Sequence, residues 1–320
     1  MTEIDIPLLD IGAFRAGTAE ERRAFARRMD AALQSSGFLL IAGHGMDAEL
    51  MGRVRAGASR FFGLPVEQKA EIATRVAGRG WLPVGGEANS FYGEDSDPAR
   101  ADMKESLTQG RNFSTGDDEV DAEWFAENAW PAQVPELPAL ADELARQARE
   151  VYYDLLRASA LALGLEEEWF VDRAQASPHT FNINRYPPLT EVGAALEGQY
   201  RVGPHTDWGT YTLLDRQPGY GGLQVQTLDG DWVDAPYEAG ALTINVGDLL
   251  ARWVGDRWRS TRHRVQAPQT DAPTEELISL IFFMEVDMDL EISPLVPGTD
   301  YPPVVCADYF RQRAAAATVS

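Results

Sequence analysis

Cysteine is almost missing from this 320-residue chain: Cys306 stands alone, so neither an intrachain disulfide framework nor a thiolate zinc site can form. Histidine is scarce as well, with four in all. Positive charge is in deficit, 28 basic side chains against 50 acidic ones, for a formal net charge of −22. Such a surface repels phosphate backbones and anionic headgroups, so neither nucleic acid nor a membrane is expected as a partner. The chain also lacks an apolar run long enough to span a bilayer, and its first residues, "MTEIDIPLLDIGAF", show no basic-then-apolar leader. A soluble, cytoplasmic protein is the expectation.

What is present is core material. The composition is 44% hydrophobic with eight Trp, enough for one large domain or two modest ones. The first half reads mainly as helices. "TAEERRAFARRMDAALQSSG" opens with Thr18 and Glu21 in capping-box spacing, keeps Phe25, Met29, Ala32 and Leu33 on one face, and stops at Gly37. "FLLIAGHG" follows as a short buried strand. A second helix starts at Asp47 and runs to "SRFFGLP", and the longest covers "LPALADELARQAREVYYDLLRASALALG", ending at Gly164. Between them lies "AGRGWLPVGGEANSFYGEDSDPARADMKESL", rich in Gly, Pro and Asp and without a sustained period, the composition of a lid or a substrate-facing excursion.

From Phe181 the texture changes to short β runs: "FNINRYPP", "YRVGPHTDWGTYTLL", "GGLQVQT", "GDWVDAP", "ALTINVGDLL", "STRHRVQAP" and "LISLIFFMEV". Many short strands separated by Gly, Pro and Asp indicate a jelly roll or barrel. The fold class expected is therefore mainly β with flanking helices. One domain over 1–320 is predicted: a largely helical part over 1–175, a β core over 176–290 carrying the site, and a C-terminal segment over 291–320.

His205 and Asp207 fall two residues apart in an apparent strand. Alternation sends both to one side and turns Thr206 away, which gives a divalent metal two adjacent ligands. His263, 58 residues on (263 − 205), lies in a β-patterned segment that antiparallel strands can fold back alongside. His44 and His179 have no carboxylate at i±2 and suit the role less. Two histidines and one carboxylate on one face of a metal, with the other positions open, is the arrangement of non-haem Fe(II) oxygenases. Zinc fits the same ligands, although a zinc hydrolase lacks an evident general base here.

Around this constellation the chain resembles the isopenicillin N synthase-like family of Fe(II)- and 2-oxoglutarate-dependent oxygenases. The matching segments run in the family's order across nearly the whole length: "IPLLDIGAF", "GFLLIAGHG", "FFGLPVEQK", "DMKESL", "NRYPP", "HTDWGTYTLL", "GGLQVQ", "NVGDLLARW" and "STRHRV". The resemblance implies a distorted double-stranded β-helix and assigns Fe(II) to His205, Asp207 and His263. It further implies 2-oxoglutarate and O2 as co-substrates, whose consumption to succinate and CO2 drives hydroxylation or desaturation of a small organic substrate. Asn184 and Tyr186, in "NINRYPP", have the spacing of the family's co-substrate contact.

One position departs from the pattern. The family usually grips the distal carboxylate of 2-oxoglutarate with an Arg-x-Ser pair, because a guanidinium meets a carboxylate bidentately. Here the segment is "EELISLIFF": Ser279 is kept and Leu277 stands where the arginine would be. Either another cation substitutes or the co-substrate is not used, as in an oxidase that draws all electrons from its substrate; a non-catalytic metal-binding β-barrel is a third reading. Arg262 and Arg264 alternate away from His263, whereas Arg201 shares parity with His205 and is the candidate substitute. For substrate contacts the Gly-rich stretch offers Arg79, Trp81 and Phe91, with Arg79 able to meet a substrate carboxylate.

Overall fold

The computed structural model describes residues 5–74, 78–87, 100–296 and 299–317; Phe91 lies outside them. Among the described residues fourteen strands run in chain order: β1 Leu8–Asp10, β2 Phe38–Ala42, β3 Gly80–Leu82, β4 Glu105–Gly110, β5 His179–Tyr186, β6 Val202–His205, β7 Tyr211–Asp215, β8 Leu223–Gln226, β9 Trp232–Asp234, β10 Leu242–Val246, β11 His263–Val265, β12 Leu277–Met284, β13 Glu291–Ile292 and β14 Val304–Val305. Eight of them form the main sheet in the order β1-β2-β10-β7-β12-β5-β4-β3, and four form a smaller sheet, β6-β11-β8-β9. The two sheets carry facing walls of one cavity, with β5, β7, β10 and β12 on one side and β6, β8 and β11 on the other. This is the jelly-roll arrangement that the strand spacing indicates.

The helices behave as their sequences dictate. Thr18 caps Ala19–Ser35 with the full capping box, its side chain accepting from Glu21 N and the Glu21 side chain accepting in return from the Thr18 backbone. Gly37 ends that helix at φ +73°, where a Cβ would lie 2.1 Å from the Arg259 carbonyl. Asp47 caps Ala48–Phe62 through its carboxylate. The helix Leu137–Ala162 buries one face, including Leu144, Val151, Tyr152 and Leu155, against the outer side of the main sheet. One large apolar cluster joins these helices to the sheet, from Leu9 and Leu33 through Ile183 and Leu280 to Ala307. Among the described residues no helix is long and apolar enough to cross a membrane.

The first 175 residues contribute more than helices. They supply β1 to β4, half of the main sheet, with β2 pairing β10 and β4 pairing β5. Apart from β2, which "FLLIAGHG" announces, these strands have three to six residues each, too few to establish a period-2 pattern beside long helical runs. Two further segments differ from the β reading: "DLL" in "ALTINVGDLL" opens the helix Asp248–Trp253, and the run containing His205 breaks into β6 and β7.

Candidate metal centre

His205 ends β6, and strand pairing sets His263 of β11 directly opposite it. The imidazole centroids are 4.2 Å apart. Asp207 lies beyond the strand end, so alternation is not what aims its carboxylate. Its backbone carbonyl accepts from Asp248 N at 2.7 Å, and the Trp208 carbonyl accepts from Leu249 N, so the start of the helix Asp248–Trp253 turns the chain here. The Asp207 carboxylate is then fixed by two donors: Thr212 Oγ1 at 2.5 Å and Asn245 Nδ2 at 2.7 Å, both to Oδ2. That leaves Oδ1 facing the imidazoles, 3.5 Å from His205 Nε2 and 3.7 Å from His263 Nε2.

Each ring is oriented from behind. His205 Nδ1 donates to the Gly203 carbonyl at 2.8 Å and His263 Nδ1 to the Thr261 carbonyl at 3.1 Å, which leaves both Nε2 lone pairs turned inward. Phe38 packs edge-on against the His263 ring. All three residues are buried, and one ligand atom of each lies within 4.8 Å of the others. Burial opposes the charge on His205, but Asp207 and the Gly203 carbonyl outweigh it and raise its pKa. Burial and the neighbouring His205 instead push His263 down to about 4. Burial resists ionisation of Asp207, yet the two imidazoles and Asn245 hold its pKa below the carboxylate range. A dication replaces the proton that these groups otherwise share.

The other two histidines have structural partners. His44 bonds the Gly240 carbonyl and Met46 N, and His179 Nδ1 accepts from Arg149. Neither reaches the triad.

The cavity beside the triad is lined by Lys104, Asn182, Asn184, Tyr186, Thr212 and Asn245, with Val202, Leu214, Leu223, Val265, Ile281 and Phe283 supplying apolar wall. Tyr186 and Asn184 therefore sit at the site. Tyr186 is buried in this wall on the same face of β5 as Asn184, which pairs with Ser279 of β12. Arg201 does not line the cavity. His263 pairs with His205 but Val265 pairs with Val202, so β6 carries one extra residue across Gly203 and Pro204. This bulge turns Val202 inward and takes Arg201 out of phase with His205. The Arg201 side chain is fully buried, 3.4 Å from the Glu275 carboxylate and 5.7 Å from the centroid of the Tyr186 ring.

Arg79 and Trp81 are not in the cavity either, which corrects the expectation for both. The Arg79 guanidinium lies against Gly110, at the far end of β4, and donates to the Trp124 carbonyl. Trp81 pairs with Leu107 on the helix-facing side of β4, where its Nε1 donates to Glu105 at 2.7 Å. Arg264 points outward, between the rings of Tyr200 and Trp232.

Sheet architecture and ligand set together define a class, the non-haem Fe(II) oxygenases built on a double-stranded β-helix. Sequence comparison makes the class specific. Residues 6–133 match the family described as non-haem dioxygenase in morphine synthesis N-terminal, and residues 178–286 match the 2OG-Fe(II) oxygenase superfamily. The chain belongs to the 2OG-Fe(II) oxygenase superfamily, within its isopenicillin N synthase-like branch. Among its relatives, validamycin A dioxygenase of Streptomyces hygroscopicus subsp. limoneus is 41% identical over 292 residues, spanning 91% of this chain and 79% of that protein. A full-length Neurospora crassa protein, solved in complex with alpha-KG, superposes with a TM-score of 0.82 at 26% identity, covering 98% of this chain and 97% of that one. A 2OG-Fe(II) oxygenase family protein from Caulobacter crescentus superposes with a TM-score of 0.84 at 28% identity, covering 98% and 99%.

The protein is thus a 2-oxoglutarate-dependent Fe(II) dioxygenase using Fe(II), 2-oxoglutarate and O2. The oxidase and binding-protein readings that Leu277 left open are not favoured. A ferrous ion in this triad supplies the oxygen chemistry, with electrons drawn from decarboxylation of the keto acid. The chain's own work is to aim three ligand atoms, leave the remaining positions open, and wall the site from bulk water with Phe38, Val202, Leu223 and Phe283.

Proposed function

We propose that this enzyme hydroxylates a small, strongly polar metabolite in the cytoplasm, with iron on His205, Asp207 and His263 and the co-substrate against Asn184, Tyr186 and Ser279. The observation that carries the substrate class is the polar wall. Asn182 Oδ1 is buried without a hydrogen-bond partner in a cavity lining that also carries Thr212 and Asn184. An apolar substrate leaves such a group desolvated and unpaired, whereas one with hydroxyl or amide donors satisfies it. Two relatives are named for or solved with small molecules, validamycin A dioxygenase and the Neurospora crassa protein with thymine, and those compounds head the panel to be tried. A single, buried cysteine that leaves no intrachain disulfide to form and the need for ferrous iron and a central metabolite support the cytoplasm.

Succinate release and O2 uptake across polar candidates, with apolar molecules of equal size as controls, test this. Several-fold stimulation by polar compounds is expected, and stimulation by the apolar set alone would overturn the substrate class. H205A and D207A should each abolish coupled turnover with an unchanged circular dichroism spectrum; wild-type product formation by either would remove the iron assignment. Cell fractionation tests the compartment, with the enzyme expected in the soluble cytosolic fraction; recovery from an exported fraction would refute it.

A further inference from the structure

The register of the main sheet shows where a positive charge displaced from Leu277 has gone. Pairing of β4, β5 and β12 places Ser106, Asn184 and Ser279 in one row across three strands. In the next row Tyr186 stands opposite Leu277. Lys104 is the residue before β4, and the same β4–β5 register carried one step further sets it beside Tyr186, on the flank away from Leu277. The row therefore reads Lys104, Tyr186, Leu277, with a cation at one end and an aliphatic group at the other. Two strand spacings, about 10 Å, separate those ends, a gap that side chains from both flanks readily narrow.

Lys104 lines the cavity together with Asn184 and Tyr186, and its side chain is only 4% exposed. Its ammonium donates to Ser106 Oγ at 3.1 Å and to the Glu87 carboxylate. An ammonium has three donors, and the third has no acceptor among the described residues. Burial works against its charge, but Glu87 and Asp102 outweigh that and keep it protonated. The chain's other lysine, Lys69, is committed to Glu105 and the Phe62 carbonyl on the opposite face of the sheet. Arg201 is not among the residues that line the cavity, and its guanidinium is held at Glu275.

We propose that Lys104 takes over the task of the missing arginine: its ammonium holds the distal carboxylate of 2-oxoglutarate, to which the Tyr186 and Ser279 hydroxyls also donate. The proposal rests on the co-substrate established for this superfamily, and it moves the anchoring charge from β12 to the start of β4. A lysine meets the carboxylate as a point charge rather than as a planar fork. The grip is correspondingly less directional, and Glu87 competes for the same ammonium.

Anaerobic titration of the Fe(II)-loaded enzyme, reading the visible charge-transfer band of a chelated keto acid, tests this without any prime substrate, so the result does not depend on the substrate class proposed above. Two ligands are compared: 2-oxoglutarate, and 2-oxovalerate, which has a methyl group in place of the distal carboxylate. The wild type should prefer 2-oxoglutarate. K104M should lose about 10–100-fold in affinity for it and keep its affinity for 2-oxovalerate, which also shows that iron site and fold survive. Adding L277R to K104M should restore the preference. A K104M enzyme that discriminates as well as the wild type would overturn the proposal, as would loss of discrimination in R201M instead. Absence of a band in the wild type would overturn the proposal together with its premise.

Discussion

Asp207 has two carboxylate oxygens with separate duties. Oδ2 accepts from Thr212 and Asn245, neutral donors that cannot be displaced without leaving a buried charge short of partners, and Oδ1 is thereby turned to the imidazoles. N245A should weaken Fe(II) binding by about 10–100-fold, the usual loss when a ligand's supporting hydrogen bond is removed. N245D sets one carboxylate against another and should be worse still. Equal Fe(II) affinities for the two variants, measured by anaerobic titration, would reduce Asn245 to packing. The triad itself was legible from four histidines and a His-x-Asp spacing, because ligand chemistry restricts the choice so sharply. Asn245 and Thr212 were not singled out, since they meet Asp207 only when β7 and β10 pair. Lys104 was hidden for the same reason: its relation to Leu277 exists only in the register of three strands far apart in sequence.

At the scale of elements, the turn after β6 decides the site. Gly209 and Gly247 approach backbone to backbone there: a Cβ on Gly247 would lie 2.4 Å from the Gly209 carbonyl, and one on Gly209 would collide with Glu285. This contact lets the helix Asp248–Trp253 begin against the Asp207 and Trp208 carbonyls. G247A should therefore cost about 1–3 kcal/mol in a urea melt and lower Fe(II) affinity as well, since moving the helix start moves Asp207. Unchanged iron binding in a destabilised G247A would separate the turn from the site. Local sequence conveyed the long helices, with their caps and apolar stripes, and most strands after residue 176. Gly203 and Pro204 are residues that disturb strand alternation, but the bulge they form depends on β11 as partner, so parity alone does not place Arg201. Local sequence also could not show that Trp81 faces the helices or that Arg79 reaches the wrong end of β4, because the pairing of a three-residue edge strand is not written in its own residues.

For the molecule as a whole, His179 links stability to acidity. The ring is buried in the β5 wall, accepts from Arg149, and lies near Arg111 and Arg79, so burial first and these cations second hold its pKa well below 6.5. Unfolded, the imidazole takes up its proton near pH 6.5. Below that point the unfolded chain holds more protons than the native one, so this contribution is intact above about pH 6.5 and declines as pH falls. H179Q, which keeps an acceptor for Arg149 but cannot titrate, should lose less stability than the wild type between about pH 7.5 and 5.5, by up to about 1.4 kcal/mol per pH unit. Identical pH slopes in urea melts would show that His179 is not the group concerned.

The interleaving of early strands with late ones also bears on how the chain leaves the ribosome. β2 waits for β10 and β4 for β5, while the middle of the sheet stays open until β12 has been synthesised. A nascent chain of 175 residues would carry two detached strand pairs, β1 with β2 and β3 with β4, and helices with no completed sheet to rest on, the kind of half-made product that chaperones shield. Arrest at residue 175 should leave a protease-sensitive stump, and arrest a little beyond residue 290 a resistant body; stepwise protection of the shorter product would mean that its helices fold without waiting for the barrel.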